Sequence, residues 1–275
     1  MELLKNELND FKDIQKEIKF LTNSDNRLEI LHCLLKSPQT LKEIHEKTGL
    51  NNSSISINVS SLEDKGYVAN RNDIYYLTNA SKIILTNIFY FNKSANFLDK
   101  NADFFNSHKL NNLQFNALKD MSSLENSELV ESTSTDIFKT VRIFPEFSVG
   151  SKSIKTIFPY VHPQINDLLK YWFDNDVDVK LILEEDVSKA FIELFNDFEY
   201  GGESNSRISV KTVNRNLDFV LGVTDEGIIL GFYKEDGKFD QNAVFTSRDS
   251  EAVVWGNDIF KEYENLAPDY IILKE

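Results

Sequence analysis

The sequence predicts an α+β chain of two domains. Three observations carry that reading. Short helical segments and a strand hairpin fill residues 2–77, a long helix of heptad spacing follows, and strand-like and helix-like segments then alternate to residue 265. At roughly 100–200 residues per domain, 275 residues suffice for about two cores.

The first segment places Leu4, Leu8, Phe11, Ile14, Ile18 and Leu21 on one helical face. Ser24 is positioned to cap a second helix, Asp25 to Lys36, with Leu28, Ile30, Leu31, Leu34 and Leu35 apolar. Cys33 lies inside that apolar stretch, which predicts a core residue and not a redox sensor. Ser37-Pro38-Gln39 ends the helix. Thr40-Leu41-Lys42-Glu43 is a capping box opening a short third helix, and Gly49 is its left-handed stop. A fourth helix begins at Asn51-Asn52-Ser53-Ser54 and buries Ile55, Val59 and Leu62 before ending at Lys65-Gly66. Tyr67-Val68-Ala69 and Ile74-Tyr75-Tyr76-Leu77 read as two strands around the polar tip Asn70-Arg71-Asn72-Asp73.

Thr78-Asn79 then opens a long helix running to about Asn106. Ile84, Ile88, Phe91, Ala95, Leu98, Ala102 and Phe105 alternate spacings of four and three, the pattern of a coiled-coil seam. Tyr90, Phe97 and Phe104 form a second line seven apart. Two apolar lines need two covering surfaces, so the expectation is a homodimer through this helix; the alternative is one helix packed on its own domain. The polar, Asn- and Ser-rich residues 107–135, which hold one amphipathic piece around Leu113 to Leu124, are the expected domain boundary. Beyond it, strands are expected at 140–144, 153–158, 177–183, 207–213, 217–223, 227–233 and 243–246. Helices are expected at 162–174, 185–199 and 248–265. The resulting division is 1–79, a winged helix-turn-helix DNA-binding domain; 80–108, a dimerisation or linker helix; and 109–275, an α/β domain for effector sensing or assembly.

Composition excludes several classes. One cysteine rules out an internal disulfide framework and a cysteine zinc cage. No apolar run approaches the ~18 residues of a membrane helix, and the N-terminus lacks a signal-peptide design, so a cytoplasmic protein with no membrane partner is expected. The net charge of −14 argues against a non-specific nucleic-acid coat. The charge is uneven, however: residues 1–92 hold 11 basic and 12 acidic side chains, and the rest of the acidity lies beyond them. The N-terminal third can therefore approach DNA without global repulsion.

Helices, a tight turn at Gly49, a further helix and a hairpin make a winged helix-turn-helix. Residues 24–77 resemble the ArsR/MarR-like regulators through Arg27, Ile30, Leu31 and Leu34, Thr40-Leu41-Lys42-Glu43-Ile44, Ser54-Ile55-Ser56, Leu62-Glu63-Asp64-Lys65-Gly66-Tyr67-Val68, and Tyr76-Leu77-Thr78. Phe239-Asp240, Ser247-Arg248-Asp249-Ser250, Ala252, Trp255-Gly256 and Phe260-Lys261-Glu262-Tyr263 resemble the C-terminal pattern of the archaeal methanogenesis-regulator (Fil-type) family. That resemblance spans essentially the whole chain and implies a transcription regulator. The C-terminal alternation is also similar to the phospholipase-D-like domain of archaeal sugar-sensing regulators, here non-catalytic. Trp255, Phe260 and Tyr263 are expected to share one face of a closing helix packed on the sheet.

Recognition of double-stranded DNA needs short polar side chains at base edges and cations at phosphates. Asn52, Ser53, Ser54, Ser56, Ile57, Asn58, Ser60 and Ser61 are the expected exposed positions of the fourth helix; Asn52, Ser53, Ser54, Ser56, Ile57 and Ser60 are the candidates for DNA contact, with Ile57 suited to a thymine methyl. Nothing basic lies between Asn51 and Leu62, a departure from the family's habit. Phosphate contact then falls to Lys42, Lys47, Lys65 and Arg71. Few such contacts predict a weak salt dependence.

No catalytic motif emerges, so no enzyme, cofactor or metal is expected. His45-Glu46-Lys47 mimics the start of a phospholipase-D motif, but Asn52 stands where its Asp would be. Arg142, Arg207, Arg215 and Arg248 are isolated cations in the acidic half, and Arg248 is the first candidate to pair with an anionic small-molecule effector. The competing reading is a winged helix used for protein contacts without specific DNA binding.

Overall fold

The computed structural model describes residues 12, 14–113, 115–268 and 270–274. Leu4, Leu8 and Phe11 of the first segment lie outside them. Two units are resolved, residues 1–91 and 92–275. Among the described residues no helix is long and apolar enough to cross a membrane.

In the first unit, α1 (residues 14–22) precedes α2 (Asp25–Lys36), α3 (Leu41–Thr48) and α4 (Asn52–Asp64). Each start follows from its cap. The Ser24 hydroxyl accepts from the Arg27 N–H, Thr40 and Glu43 form the reciprocal box, and the Asn51 side chain accepts from the Ser54 N–H. Gly49, at φ 72°, stops α3 as expected. β1 (Val68–Arg71) and β2 (Ile74–Leu77) pair antiparallel. Leu21, Ile30, Leu31, Leu34, Ile44, Ile55, Val59, Leu62 and Leu77 close one core, which includes the buried Cys33.

α5 (Asn79–Lys100) opens at the predicted place but ends earlier than the heptad pattern suggested. Asn101 leaves the helical region at φ −117°, ψ 24°, while its side-chain amide donates to the Phe97 carbonyl at 2.8 Å. An Asn that bonds its own backbone competes with the helix ladder. The chain resumes as α6 (Ala102–Ser107), with Phe104 and Phe105 buried.

The second unit is built on an eight-stranded mixed sheet. Its strands are β3 (Glu128–Glu131), β4 (Ser153–Phe158), β5 (Asp178–Glu184), β6 (Ile208–Val213), β7 (Phe219–Thr224), β8 (Ile228–Phe232), β9 (Ala243–Ser247) and β10 (Ile271–Lys274), in the order β10-β6-β5-β4-β7-β8-β9-β3. β4, β5 and β6 run parallel, linked by α9 (Ile165–Asp174) and α10 (Glu185–Asp197). All other pairings are antiparallel. Side chains alternate between two faces: Phe219, Leu221 and Val223 of β7 enter one core, and Val220 the other. The first core is closed by α6, α7 (Phe115–Lys119), a 3-10 turn at Met121–Leu124 and α11 (Ser250–Leu266).

Trp255, Phe260 and Tyr263 pack on the sheet from α11, as the sequence predicted. Gly256 explains the Trp-Gly pair, since a Cβ there would lie 3.0 Å from Ile228 Cγ2 and Val223 Cγ2. The glycine lets the helix settle onto the strands.

Two sequence expectations are corrected. Residues 140–144 are not a strand but part of α8 (Lys139–Ser148). Thr140, Ile143, Phe144 and Ser148 are its buried positions, at i, i+3, i+4 and i+8 on one helical face, so the helical period outweighs local β propensity. Residues 107–135, the expected domain boundary, lie inside the second unit, which begins at Asn92: Leu113, Ala117, Met121 and Leu124 enter the first core, and β3 joins the sheet.

A buried polar network pins α6 to the loop before β9. His108 turns Nδ1 to the Phe104 carbonyl at 2.6 Å and Nε2 to the Asp240 carboxylate at 3.1 Å, where Lys234 Nζ lies 3.2 Å from the same oxygen. Burial alone would raise the Asp240 carboxyl. Hydrogen bonds from the Asn242 backbone, Lys234 and His108 outweigh it and hold Asp240 below the usual carboxylate range. A depressed folded pKa contributes stability that is present above the unfolded pKa and lost as pH falls through the folded one. Asp240→Asn is expected to lower stability at neutral pH by about 1.5–3 kcal/mol and to flatten its acid dependence. Urea midpoints from neutral pH down to about 3 check both effects.

Candidate nucleic-acid interface

The exposed face of α4 follows from its buried one. Ile55, Val59 and Leu62 face the core, so Ser53, Ser56, Ile57 and Ser60 share the outer surface, with Asn52 exposed at the helix start. Ile57 is 67% exposed, an apolar tip on a neutral polar face. Ser54 is half-buried, and its hydroxyl accepts from the Asn26 amide at 2.9 Å, tying the start of α2 to the start of α4. The intervening turn is held by His45 Nδ1 against the Leu50 carbonyl at 2.6 Å. The second helix of the motif is thereby positioned by core packing on one side and by hydrogen bonds at its N-terminus.

The wing is a two-residue hairpin. Asn72 and Asp73 have φ of 54° and 62°, the left-handed pair that matches strand twist in a tight turn. Arg71 is the last residue of β1, opposite Ile74, and is exposed. Its guanidinium makes no hydrogen bond or ion pair among the described residues. Gln39 and Tyr75 exchange backbone hydrogen bonds at 2.9 and 2.8 Å, fixing the wing to the α2–α3 connection.

The other basic candidates differ. Lys47 is exposed. Lys42 is exposed, 3.7 Å from Glu46 across one helical turn, a pair of little strength. Lys65 departs from the expectation of a free phosphate contact: its Nζ lies 4.4 Å from the Phe20 ring centroid and 3.4 Å from Glu17. Glu17 also accepts from the Tyr67 hydroxyl, a bond that lowers the Glu17 pKa. Burial, with that carboxylate beside it, pushes the Tyr67 hydroxyl up to about 12. Glu17 and Phe20 were not legible as partners of Lys65, because they lie more than forty residues away in sequence.

The helix seam resolves into exposed and covered positions. Ile84, Phe91 and Leu98 are 42%, 73% and 37% exposed, seven residues apart. Ile88 packs against the first unit's core, and Ala95 and Ala102 are half-buried. Phe105, expected on the seam, is instead buried in the second unit's core beside Phe97 and Phe245, because the chain breaks at Asn101.

The isolated cations of the second unit are mostly engaged. Arg248 lies 3.1 Å from Glu226 and over the Phe147 ring, Arg142 pairs with Asp136, and Arg215 sits 5.2 Å from the Tyr263 ring. Arg207 is exposed. No group of three or more His, Cys, Asp or Glu among the described residues is placed to hold a metal ion.

Comparison with known proteins bears on this arrangement. Residues 15–90 match the family described as the N-terminal domain of methanogenesis regulatory protein FilR1, and residues 137–266 match that protein's middle domain. The curated methanogenesis regulatory protein FilR1 of Methanothrix harundinacea (strain 6Ac) is 22% identical over 258 residues. That alignment covers 92% of this chain and 58% of the relative, so the chain spans little more than half the relative's length. Among solved structures, TrmBL2, described as an archaeal chromatin protein with a novel mode of DNA binding, is 13% identical at a TM-score of 0.39, over 88% of this chain and 92% of that one. Quinone-bound YodB from B. subtilis is 22% identical at a TM-score of 0.28, over 30% of this chain and 96% of that one. Both likenesses are too distant to carry a functional argument.

Proposed function

The chain belongs to the Fil-type methanogenesis regulator family, and we propose that it is a transcription regulator that binds a palindromic operator as a homodimer. The observation that carries this is the wing and helix together: a neutral, polar outer face on α4 beside an unpaired, exposed Arg71. Two such units would place their α4 helices in successive major grooves, with the wings on the backbone. Asn52, Ser53, Ser54, Ser56, Ile57 and Ser60 supply base-edge contacts, and Lys42, Lys47 and Arg71 supply phosphate contacts. Ile84, Phe91 and Leu98 join the two copies. The second unit, on its phospholipase-D-like resemblance, acts as a non-catalytic sensing or assembly domain. A ligand acts there by binding one arrangement of the dimer more tightly than another.

A second reading has an observation of its own. Lys65 is held by Phe20 and Glu17, and nothing basic lies on α4, which favours a winged helix that contacts protein. Genomic DNA pull-down with footprinting separates the two. Under the DNA reading a palindrome is enriched. Arg71→Ala, present in both copies, then weakens it across sequences and lowers the log-affinity against log-salt slope by about 2, one for each lost phosphate contact. No enriched site across moderate salt, or an unchanged slope in Arg71→Ala, favours the protein-contact reading.

A further inference from the structure

The second unit contains a cavity of about 260 Å³ between α8, the loop from β4 to α9, and the sheet. Phe144, Phe158, Tyr160 and Phe239 supply aromatic walls, and Val220, Ile229 and Val244 rise from the strands beneath. A shallow extension continues inward to Trp172. The Phe144 ring can lie on the sheet because position 222 is glycine, where a Cβ would stand 2.9 Å from its Cε2.

The polar groups here are few and oriented. Pro145 has no N–H to offer the Val141 carbonyl four residues earlier, and the His162 ring hydrogen-bonds the Val141 backbone instead. Its Nδ1 accepts from the Gln164 N–H at 3.1 Å. With both nitrogens used, and burial pushing its pKa down to about 4, His162 is a neutral wall of the cavity. The Tyr160 hydroxyl, by contrast, makes no hydrogen bond among the described residues. Trp172 is 1% exposed, and its indole N–H has no hydrogen-bond partner among the described residues. Buried polar groups are ordinarily satisfied, so the unused Trp172 N–H at the inner extension, together with the free hydroxyl of the half-buried Tyr160 in the cavity wall, marks a place for a ligand atom.

We infer that this cavity binds an uncharged, largely apolar molecule of one or two rings that presents a hydrogen-bonding atom to Tyr160. The volume sets the size: a cavity of about 150 Å³ suffices for benzene. The lining sets the charge, for it contains no Lys, Arg, Asp or Glu, and an ion there would lack compensation. This deepens the regulatory reading by naming the effector class, and replaces the anionic class expected from Arg248.

The test uses the full chain without DNA and 5-fluoroindole as the probe, followed by fluorine NMR. Saturable binding is expected, with the matching 5-fluoroindole-3-carboxylate at least ten-fold weaker. Tyr160→Phe is expected to weaken the probe about 2–10-fold. Val141→Trp fills the cavity and removes binding. Val244→Phe fills it from the sheet side and serves the same purpose if the first variant does not fold. No saturable binding, equal binding of the carboxylate, or undiminished binding in a folded cavity-filled variant overturns the proposal. A chain that binds the probe but no DNA sinks the regulator reading alone, and one that binds DNA but not the probe sinks the cavity alone.

Discussion

Phe245→Ala is expected to destabilise the second unit by about 3–5 kcal/mol, enough to remove much of an ordinary domain's stability. Phe245 is 1% exposed, with ring centroids 4.9 Å from Phe104, 5.4 Å from Phe97 and 5.5 Å from Phe105. Truncation therefore opens a cavity and deletes three aromatic contacts, each worth about 0.5–1.5 kcal/mol beyond area burial. Phe97, Phe104 and Phe105 flank the Asn101 break, so the loss strikes where α5 gives way to α6. Denaturant unfolding with near-ultraviolet dichroism would read the effect. A shift below about 1 kcal/mol would mean that the cluster repacks around the gap.

Charging the exposed line of α5 is expected to separate the proposed dimer. Phe91→Asp with Leu98→Asp puts two carboxylates at positions 73% and 37% exposed, so each folded chain tolerates them. A second copy packed on those positions would not, because both charges would be buried without partners. Sedimentation should report a monomer. Operator affinity should fall by about two orders of magnitude as the second half-site becomes an independent event. Ile88→Asp is the wrong probe, since Ile88 packs against the first unit's own core and would report on folding. A double variant that remains dimeric would remove this helix from the interface.

The first unit was legible because its signals are local. Caps, the glycine stop and the apolar spacing of α4 lie within a few residues of what they determine, and Ser24, Thr40, Gly49 and Asn51 all act where they were expected. The second unit was legible where strands are nearly continuous apolar runs, as in β7 and β8. It was not where two codes overlap. Thr140-Val141-Arg142-Ile143-Phe144 is β-branched and aromatic, yet its period is helical. β3 and β10 are four residues each and take their strand character from β9 and β6 rather than from themselves. The long helix misled differently: its heptads continue through Asn101 although the backbone does not, so Phe104 and Phe105 keep the phase of a seam while pointing into a core. Of the candidate site, residue types and exposure were readable. The capture of Lys65 by Glu17 and Phe20 was not, and neither was the cavity around Tyr160, because both depend on residues distant in sequence.

The sheet's order has a consequence for the nascent chain. Among the described residues β3 pairs only with β9, Glu128 standing opposite Thr246, so over a hundred residues must be synthesised before β3 finds its neighbour. At about 5–20 residues per second that interval is on the order of 6–24 seconds. Throughout it, Leu129 and Val130 are an unpaired strand with free backbone groups beside other emerging chains. Glu128 and Glu131, exposed at its two ends, place like charges where another copy would have to align. The strand that waits longest on the ribosome carries its own guard against meeting its twin first.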